Sequence, residues 1–474
     1  MSRPLLTLVA LGLAAIAATA RAAAPPATEP RMPIAGPLRI HPANPRYFAD
    51  ATGRAILLVG SHTWPTLVDM GPSDPPPKFD FDAYLGFLER HGHNFVRLWT
   101  WELTTWDTRG NAAPWRKKSV HHAAPHPWPR TGRGKALDGK PKFDLARHNP
   151  EYFQRLRTRV KAAGQRGIYV SVMLFEGWGL QFSPKAWESH PFHPANNVNG
   201  INGDTNGDGK GLEVHELANP KVTAIQEACV RKAIDTVNDL DNVLYEISNE
   251  NHPASTAWQY HMIRFIKQVE KAKPKQHPVG MTFQYKGGSN KTLFDSPADW
   301  VSPNPTGGYR DNPPDTRGRK VVIADTDHLW GIGGSAQWLW KSVCRGLNPI
   351  FMDPYDGVVL AKRFDRKWDP IRKGLGTARR LAERMDLTAM TPHPRLASTK
   401  YCLANPAKEY LVYLPEGGTA TVSLVAAKGA LEAQWLNPST GTWHKPAPVQ
   451  GGARRTFTAP FKGHAVLYLV RAKQ

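Results

Sequence analysis

The sequence predicts an α/β protein: a (β/α)8 TIM barrel followed by a small all-β antiparallel sandwich domain. Eight short apolar runs alternate with helix-length segments over about 340 residues, which is the order of elements in such a barrel. Polar residues come directly after most of these runs. Past residue 384 the pattern changes to short strand-like runs between Pro, Gly and Asn turns. We therefore place the barrel at residues 37–385 and the sandwich at 386–474.

The first 22 residues have the pattern of a secretory signal peptide. Arg3 gives a basic start, residues 5–18 are apolar, and small residues surround a cleavage site near Ala22. The apolar stretch is too short to span a bilayer, and no later run is long enough to do so. We expect export to the periplasm or the extracellular space, a linker at residues 23–36, and no transmembrane segment.

The amino-acid composition limits the classes of molecule that we expect the protein to bind. Lys and Arg number 61 against 40 Asp and Glu, a formal net charge of +21, which suits an acidic polysaccharide, an anionic cell envelope or nucleic acid. The basic residues are scattered and no nucleic-acid-binding motif is present, so we expect no nucleic-acid partner. The cysteines, Cys229, Cys344 and Cys402, lie too far apart for a disulfide framework or a metal cluster. The oligomeric state is not indicated.

The apolar runs give the predicted barrel strands. In chain order they are residues 56–60, 94–99, 168–175, 242–250, 279–283, 300–302, 321–324 and 350–352. Helical patterns fall at residues 82–91, 151–166, 221–240 and 256–271. A doubly wound sheet is the competing fold, but no Gly-x-Gly-x-x-Gly run follows the first strand.

The carboxyl ends of barrel strands meet at one face, where such barrels place their chemistry. The residues that we expect at this face are His62, Trp64, Trp99, Glu102, Glu176, Trp178, Asn249, Glu250, His252, Tyr285, Asp325, Asp327, His328, Trp330 and Asp353. Tryptophans there suit stacking on sugar rings, although a tryptophan elsewhere is usually core. Arg97, inside the second strand, would be a buried charge that needs a carboxylate partner.

At these positions the sequence resembles the retaining glycoside hydrolases of clan A. The resemblance rests on Arg97, on Asn249-Glu250 at the end of the fourth strand and on an acid after the seventh. The opening runs, at residues 44–48 and 60–64, resemble the apiosidase-like branch of such barrels. Those proteins often carry a small C-terminal β domain named as a collagen-binding domain of a collagenase. The resemblance runs from about residue 37 to the end and implies a carbohydrate substrate with no required cofactor.

The resemblance also implies roles. Glu250 matches the acid/base, and Asn249 would hold the sugar 2-hydroxyl. The nucleophile of the clan is normally Glu, but the seventh strand offers only Asp325, which we favour, and Asp327. The shorter side chain also leaves room for a water and an inverting reaction. The same Asp-x-Asp-His run is typical of a capped helix start or a salt-bridged loop.

The remaining polar residues are predicted to bind substrate. Glu102 and Glu176 also follow strands and could serve as catalytic acids, but we favour contacts with sugar hydroxyls or a pair with Arg97. We expect His62, His252 and His328 to tune proton affinities or bind hydroxyls. A non-catalytic carbohydrate-binding protein or adhesin, and a lyase for acidic polysaccharides, are the alternatives. The sandwich shows no catalytic constellation, so we expect it to pack on the barrel.

One further run, Asp204-Thr-Asn206-Gly-Asp208-Gly209, resembles the start of a calcium loop, with oxygen ligands at alternate positions. The twelfth position, a Glu in EF-hands, is His215 here, and no helix precedes the loop. The sequence therefore predicts either a structural calcium site or a Gly/Asn-rich turn.

Overall fold

The computed structural model describes residues 33–110, 118–183, 185–359 and 366–472. The predicted signal peptide and most of the linker lie outside the described residues. None of the described helices is long and apolar enough to cross a membrane.

Eight parallel strands form a closed barrel. They are β1 Gly60–His62, β2 Phe95–Leu98, β3 Tyr169–Glu176, β4 Val243–Asn249, β5 Val279–Thr282, β6 Trp300–Ser302, β7 Val321–Asp325 and β8 Asn348–Met352. Each strand pairs with the next, and β8 returns to β1 with Phe351 opposite Ser61. The barrel order is therefore the order of the chain.

Helices connect and surround the strands. They are α1 Phe81–Arg90, α2 Pro150–Gly164, α3 Trp178–Phe182, α4 Pro220–Val237, α5 Thr256–Lys271, α6 Asn290–Asp295, α7 Thr326–Trp330, α8 Ala336–Val343 and α9 Asp369–Ala382. Local sequence fixes several starts: Asn149 and Asn219 cap α2 and α4, and each is followed by Pro at the first helical position.

The first strand lies later in the chain than residues 56–60. Ala55–Ile56 belongs instead to a three-stranded antiparallel sheet with Arg39–Ile40 and Phe48–Ala49. After Ile56, the backbone donates hydrogen bonds to side chains and not to a neighbouring strand: Leu58 N donates to Asn348 Oδ1 and Val59 N to Asn94 Oδ1. The apolar run at residues 56–60 therefore includes the end of one strand and the start of another. The boundary between the two strands does not interrupt the apolar pattern, so the sequence does not show it.

The small N-terminal sheet closes the amino-terminal end of the barrel. Leu38, Phe48 and Ile56 form one buried cluster with residues at the starts of the strands, including Phe95 and Tyr169. Apolar side chains of the described residues therefore plug this end of the barrel.

The C-terminal domain is an antiparallel β structure. A seven-stranded sheet contains Thr391–Pro392, Cys402–Asn405, Glu409–Leu414, Ala430–Asn437, Thr442–Trp443, Ala447–Gln450 and Ala465–Arg471, and a second sheet pairs Thr419–Ser423 with Arg454–Thr458. The domain packs on the barrel helices, with Tyr413 stacked 6.4 Å from Trp340 of α8. The closed parallel barrel and this antiparallel domain confirm the predicted fold class.

Candidate active site

A cavity of about 500 Å³ lies at the carboxyl ends of the barrel strands. Nine of the predicted site residues line it: Trp64, Trp99, Trp178, Asn249, Glu250, Tyr285, Asp327, His328 and Trp330. The strands thus bring together residues from distant parts of the chain, as the barrel prediction requires.

Glu250 follows the last residue of β4 and is 7% exposed. Its φ of 42° is left-handed, which costs a non-glycine residue about 1 kcal/mol or more. Gln181 Nε2 holds its carbonyl oxygen at 2.9 Å. No described residue donates a hydrogen bond to its carboxyl group. Burial, and after it the charge of Asp327, raise the pKa of Glu250 well above its ordinary value, so its environment favours the protonated form.

Asp325 and Asp327 have different environments. Asp325 ends β7, is 0% exposed and caps α7 by accepting from Asp327 N at 2.9 Å. Asp327 lies in the first turn of α7, is 9% exposed and lines the cavity. The preference for Asp325 assumed that both sit on one strand, but the chain turns into a helix at Thr326. The cavity therefore receives Asp327.

The two acids also differ in pKa. Burial favours protonation of Asp325, but His62 and Arg97 outweigh it and hold the pKa of Asp325 below its usual range. Burial and then the charge of Asp325 raise the pKa of Asp327 to about 6. Asp325 is thus a permanent anion, whereas Asp327 titrates near neutral pH.

Arg97 is the centre of the buried network beneath the cavity. It contacts Glu246 through Nε at 2.9 Å and Nη2 at 2.5 Å, and Asp325 through Nη1 at 2.8 Å. It also donates to Asn249 Oδ1 at 2.7 Å and to Asp327 at 3.3 Å. Burial disfavours the guanidinium charge, but Glu246 and Asp325 raise the pKa of Arg97 further above its ordinary value. The prediction that Arg97 needs a carboxylate partner is confirmed.

His62 completes the floor of the site. Trp99 Nε1 donates to its Nδ1 at 2.8 Å, and its Nε2 lies 2.9 Å from Asp325. Since an indole only donates, Nδ1 is the acceptor and Nε2 carries the proton that Asp325 accepts. His62 is 0% exposed, so it holds Asp325 from below and does not line the cavity.

Asn249 is oriented by two donors. Its Oδ1 accepts from Arg97 and lies 3.1 Å from His328 Nε2, while His328 Nδ1 lies 2.7 Å from Ser302 Oγ. Burial lowers the pKa of His328 to about 3, so the imidazole is neutral and donates through Nε2. Asn249 lines the cavity, and no described residue accepts a hydrogen bond from its amide NH₂.

Four predicted site residues are placed away from the cavity. Glu102 accepts from His215 Nε2 at 2.8 Å and from Glu176 N at 2.9 Å. Burial raises the pKa of Glu102, but His215 and His190 lower it to a net value of about 2. Glu102 is therefore a buried anion behind the third strand.

The other three have protein partners as well. Glu176 accepts from the backbone of α3, and burial raises its pKa to about 8. His252 Nε2 lies 3.0 Å from Glu216, and Asp353 pairs with Arg372 at 2.6 Å. The structure does not bring their side chains to the cavity.

Aromatic side chains form the cavity walls. Trp64 and Trp99 are almost fully buried, whereas Tyr285 and Trp330 are half-buried. Phe182, which was not predicted, links Trp178 at 4.5 Å with Tyr285 at 4.8 Å between ring centres. The half-buried rings offer faces on which a sugar can stack.

Sequence reasoning missed Glu246, Phe182, Phe283 and Arg310. Glu246 had a usable signal, since a Glu inside a buried apolar run must have a partner and Arg97 was the one cation expected inside the barrel. Phe182 and Arg310 lie in connecting segments, where spacing carries no comparable signal. Phe283 directly follows β5, a position that does predict the active face.

Among the described residues, two clusters of three side chains could hold a metal ion, because the potential ligand atoms within each cluster lie within 4.8 Å of one another. In the first, Asp325, Asp327 and His328, the Arg97 guanidinium already contacts both carboxylates. The second, Asp204, Asp208 and Glu213, lies in the insertion after β3 and contains part of the predicted calcium loop.

Comparisons with known proteins agree with this architecture. Residues 119–287 match the model "Domain of unknown function (DUF6298)", and residues 393–468 match "Putative collagen-binding domain of a collagenase". A solved structure titled "Glycoside hydrolase" is 13% identical with a TM-score of 0.62, and the match covers 93% of this chain and 98% of that one. A glycoside hydrolase family 5 structure from Bacteroides vulgatus is 13% identical with a TM-score of 0.59, covering 92% and 93%.

No curated protein matches the sequence. Identity this low shows the fold alone, while the C-terminal match agrees with the resemblance stated from the sequence. The chain thus has the barrel fold of solved structures of glycoside hydrolase family 5, and its C-terminal domain matches the model named for a collagen-binding domain of a collagenase.

Proposed function

We propose that this protein is an exported glycoside hydrolase that cleaves a glycosidic bond in a polysaccharide or oligosaccharide. The observation that carries the proposal is that Glu250 and Asp327 line the same aromatic-walled cavity and both have raised pKa values. A pair of carboxyl groups is what most glycosidases use for this reaction.

The roles follow from the environments. Glu250, protonated, gives its proton to the leaving oxygen as the bond from that oxygen to the anomeric carbon breaks. Asp327, ionised, attacks the anomeric carbon and forms a glycosyl ester. Glu250, now a carboxylate, then takes a proton from a water that attacks the same carbon and releases Asp327. The net change is addition of one water across the glycosidic bond, with the anomeric configuration retained.

Asp327 suits the nucleophile better than Asp325. Both carboxylate oxygens of Asp325 already accept hydrogen bonds, from Arg97, from His62 and from the α7 backbone. Among the described residues, the Asp327 carboxylate has only long contacts, 3.3 Å from Arg97 Nη1 and 3.8 Å from His328 Nε2, and Arg97 favours its anionic form. Asp325 then acts on Asp327 only through charge and position, and Asn249 offers its amide to a sugar hydroxyl.

A substrate screen tests the proposal. The purified protein is incubated with aryl glycosides and with polysaccharides, and the released product is followed by a reducing-sugar assay and by NMR of the first anomer formed. Release of the retained anomer supports the proposal, and release of the inverted anomer would assign Asp327 to water activation instead. Glycan binding without turnover would identify a binding protein, and an unsaturated, ultraviolet-absorbing product would identify a lyase.

The pH dependence of kcat/KM is expected to be bell-shaped. Activity should rise with pH through about 6, because Asp327 must lose its proton to attack and burial and Asp325 raise its pKa to about 6. It should fall at higher pH, because Glu250 must keep its proton and its pKa is raised well above the ordinary value. Because Asp327 and Glu250 interact, the acidic and alkaline limbs of the profile report the titration of the pair and not of either residue alone. An optimum below about pH 5 would contradict this assignment.

The rim of the cavity favours an anionic glycan. The Arg310 guanidinium lies 5.4 Å from the centre of the Trp330 ring, and Lys286 Nζ lies 4.9 Å from that of Phe182. Neither cation has a carboxylate partner among the described residues. Arginine binds carboxylates through paired hydrogen bonds, so a uronic acid is the sugar type that Arg310 fits.

We expect Arg310→Gln to lower kcat/KM about tenfold for a uronate-containing oligosaccharide, and to leave a neutral one of the same linkage unchanged. Added salt should weaken the wild type on the charged substrate. Arg395→Gln, an exposed change in the C-terminal domain, is the matched control. Equal effects of Arg310→Gln on both substrates would rule out charge recognition at the rim.

A further inference from the structure

The insertion between β3 and α4 contains a cluster of oxygen-bearing side chains outside the catalytic cavity. Carboxylate oxygens of Asp204, Asp208 and Glu213 lie within 4.8 Å of one another. Gly207 and Gly209, with φ of 75° and 76°, let the loop turn tightly around them. Asn206, between the two aspartates, contacts Glu213 through its amide.

Glu213 gives independent evidence for a missing partner. It is 9% exposed, and its Oε2 is fully buried and accepts no hydrogen bond from the part of the chain that the structure describes. A buried carboxylate oxygen without a donor is costly unless a cation meets it.

The chemistry of the cluster selects the cation. We propose that Asp204, Asn206, Asp208 and Glu213 bind a calcium ion. Calcium takes about 6–8 oxygen ligands in flexible geometry, and three carboxylates with one amide oxygen supply most of that set. The single nearby cation in the contacts of the cluster, Lys210, reaches only Asp208, at 2.9 Å, and is exposed, so it can leave when an ion binds.

The site is connected to the back of the catalytic cavity. Two residues after Glu213, His215 contacts Glu102 at 2.8 Å, and Glu102 holds the backbone N of Glu176. The next residue, Glu216, contacts His252, two positions after Glu250. Calcium therefore fixes the segment that supports the ends of β3 and β4.

Calorimetric titration of the full-length, chelator-treated protein with CaCl₂ tests this site. We expect one ion per chain with a Kd on the order of 10⁻⁵ to 10⁻⁴ M. The Tm should rise by roughly 3 °C at a calcium concentration about one hundred times Kd. Asp208→Asn, an exposed change that preserves folding, should weaken binding at least about tenfold, and adding Glu213→Gln should abolish it. Glu188→Gln, an exposed acid in the same insertion, is the control and should bind as the wild type does.

Each contrary result overturns the proposal. Absence of binding heat together with an unchanged Tm would exclude the site. Unaltered binding in the Asp208→Asn variant and in the double variant would place the ion elsewhere, for instance at Asp325 and Asp327. An equal response to MgCl₂ would show that the cluster does not select calcium. None of these readouts depends on glycosidase activity, so they stand apart from the test of the proposed function.

Discussion

The Glu250→Gln variant is expected to lose about 10²- to 10⁴-fold in kcat on natural glycosides. Gln keeps the shape of the side chain but has no proton to give, so a poor leaving group departs unassisted. Aryl glycosides with a very acidic phenol need no protonation to leave, and for them the first step should be affected much less. The comparison of the two substrate types, by steady-state and burst kinetics, isolates proton donation from binding.

Asp327→Asn is the companion change. Removing the nucleophile should depress turnover on both substrate types equally, because an amide cannot form the glycosyl ester. Glu216→Gln serves as the control, since Glu216 contacts His252 near Glu250 but lies outside the cavity. If Glu250→Gln lost activity equally on good and poor leaving groups, Glu250 would not be the acid. If Asp327→Asn kept activity, the nucleophile would have to be sought elsewhere.

Much of the fold could be predicted from the sequence, because the apolar runs and helical patterns coincide with the buried strands and helices of the structure. The runs at residues 168–175 and 321–324 lie almost wholly within observed strands, and α5 begins and ends where the helical pattern does. The first strand was predicted too early in the chain. The apolar run at residues 56–60 begins in the small N-terminal sheet, and pairing with the barrel strands starts only at Gly60. Hydrophobicity records burial, and it does not record which element buries a residue.

The candidate site was only partly accessible, for a different reason. Strand ends located Asn249 and Glu250 at the cavity, since a buried strand delivers whatever follows it to the active face. At the seventh strand, the outcome depends on where the strand ends. Alternation along a strand would give Asp325 and Asp327 the same environment, but the chain turns into a helix at Thr326, and Asp327 lines the cavity while Asp325 lies beneath it. Likewise, Glu102 and Asp353 follow strands but turn to His215 and Arg372.

Replacing Arg97 by Met is expected to destabilise the fold by about 3–5 kcal/mol, because it leaves Glu246 and Asp325 buried without their counter-charge. The measurement is the free energy of unfolding in urea, with Tm as a second readout. The matched control is Arg157→Met, which breaks an Arg–Asp pair of similar geometry between exposed side chains, and should cost less than about 1 kcal/mol.

The pH dependence of this loss separates charge from packing. The folded pKa of Asp325 lies below its unfolded value, so Asp325 stabilises the wild type above about pH 4, and this contribution is lost as pH falls through the folded pKa. Because Arg97→Met lacks the part of that contribution that Arg97 supplies beside His62, its difference from wild type should shrink on acidification, whereas a pure packing defect would stay constant. Arg97 also lowers the pKa of Asp327, so any active Arg97→Met enzyme should show its acidic limb at higher pH than wild type. A pH-independent loss with an unshifted limb would remove Arg97 from the electrostatic account of the site.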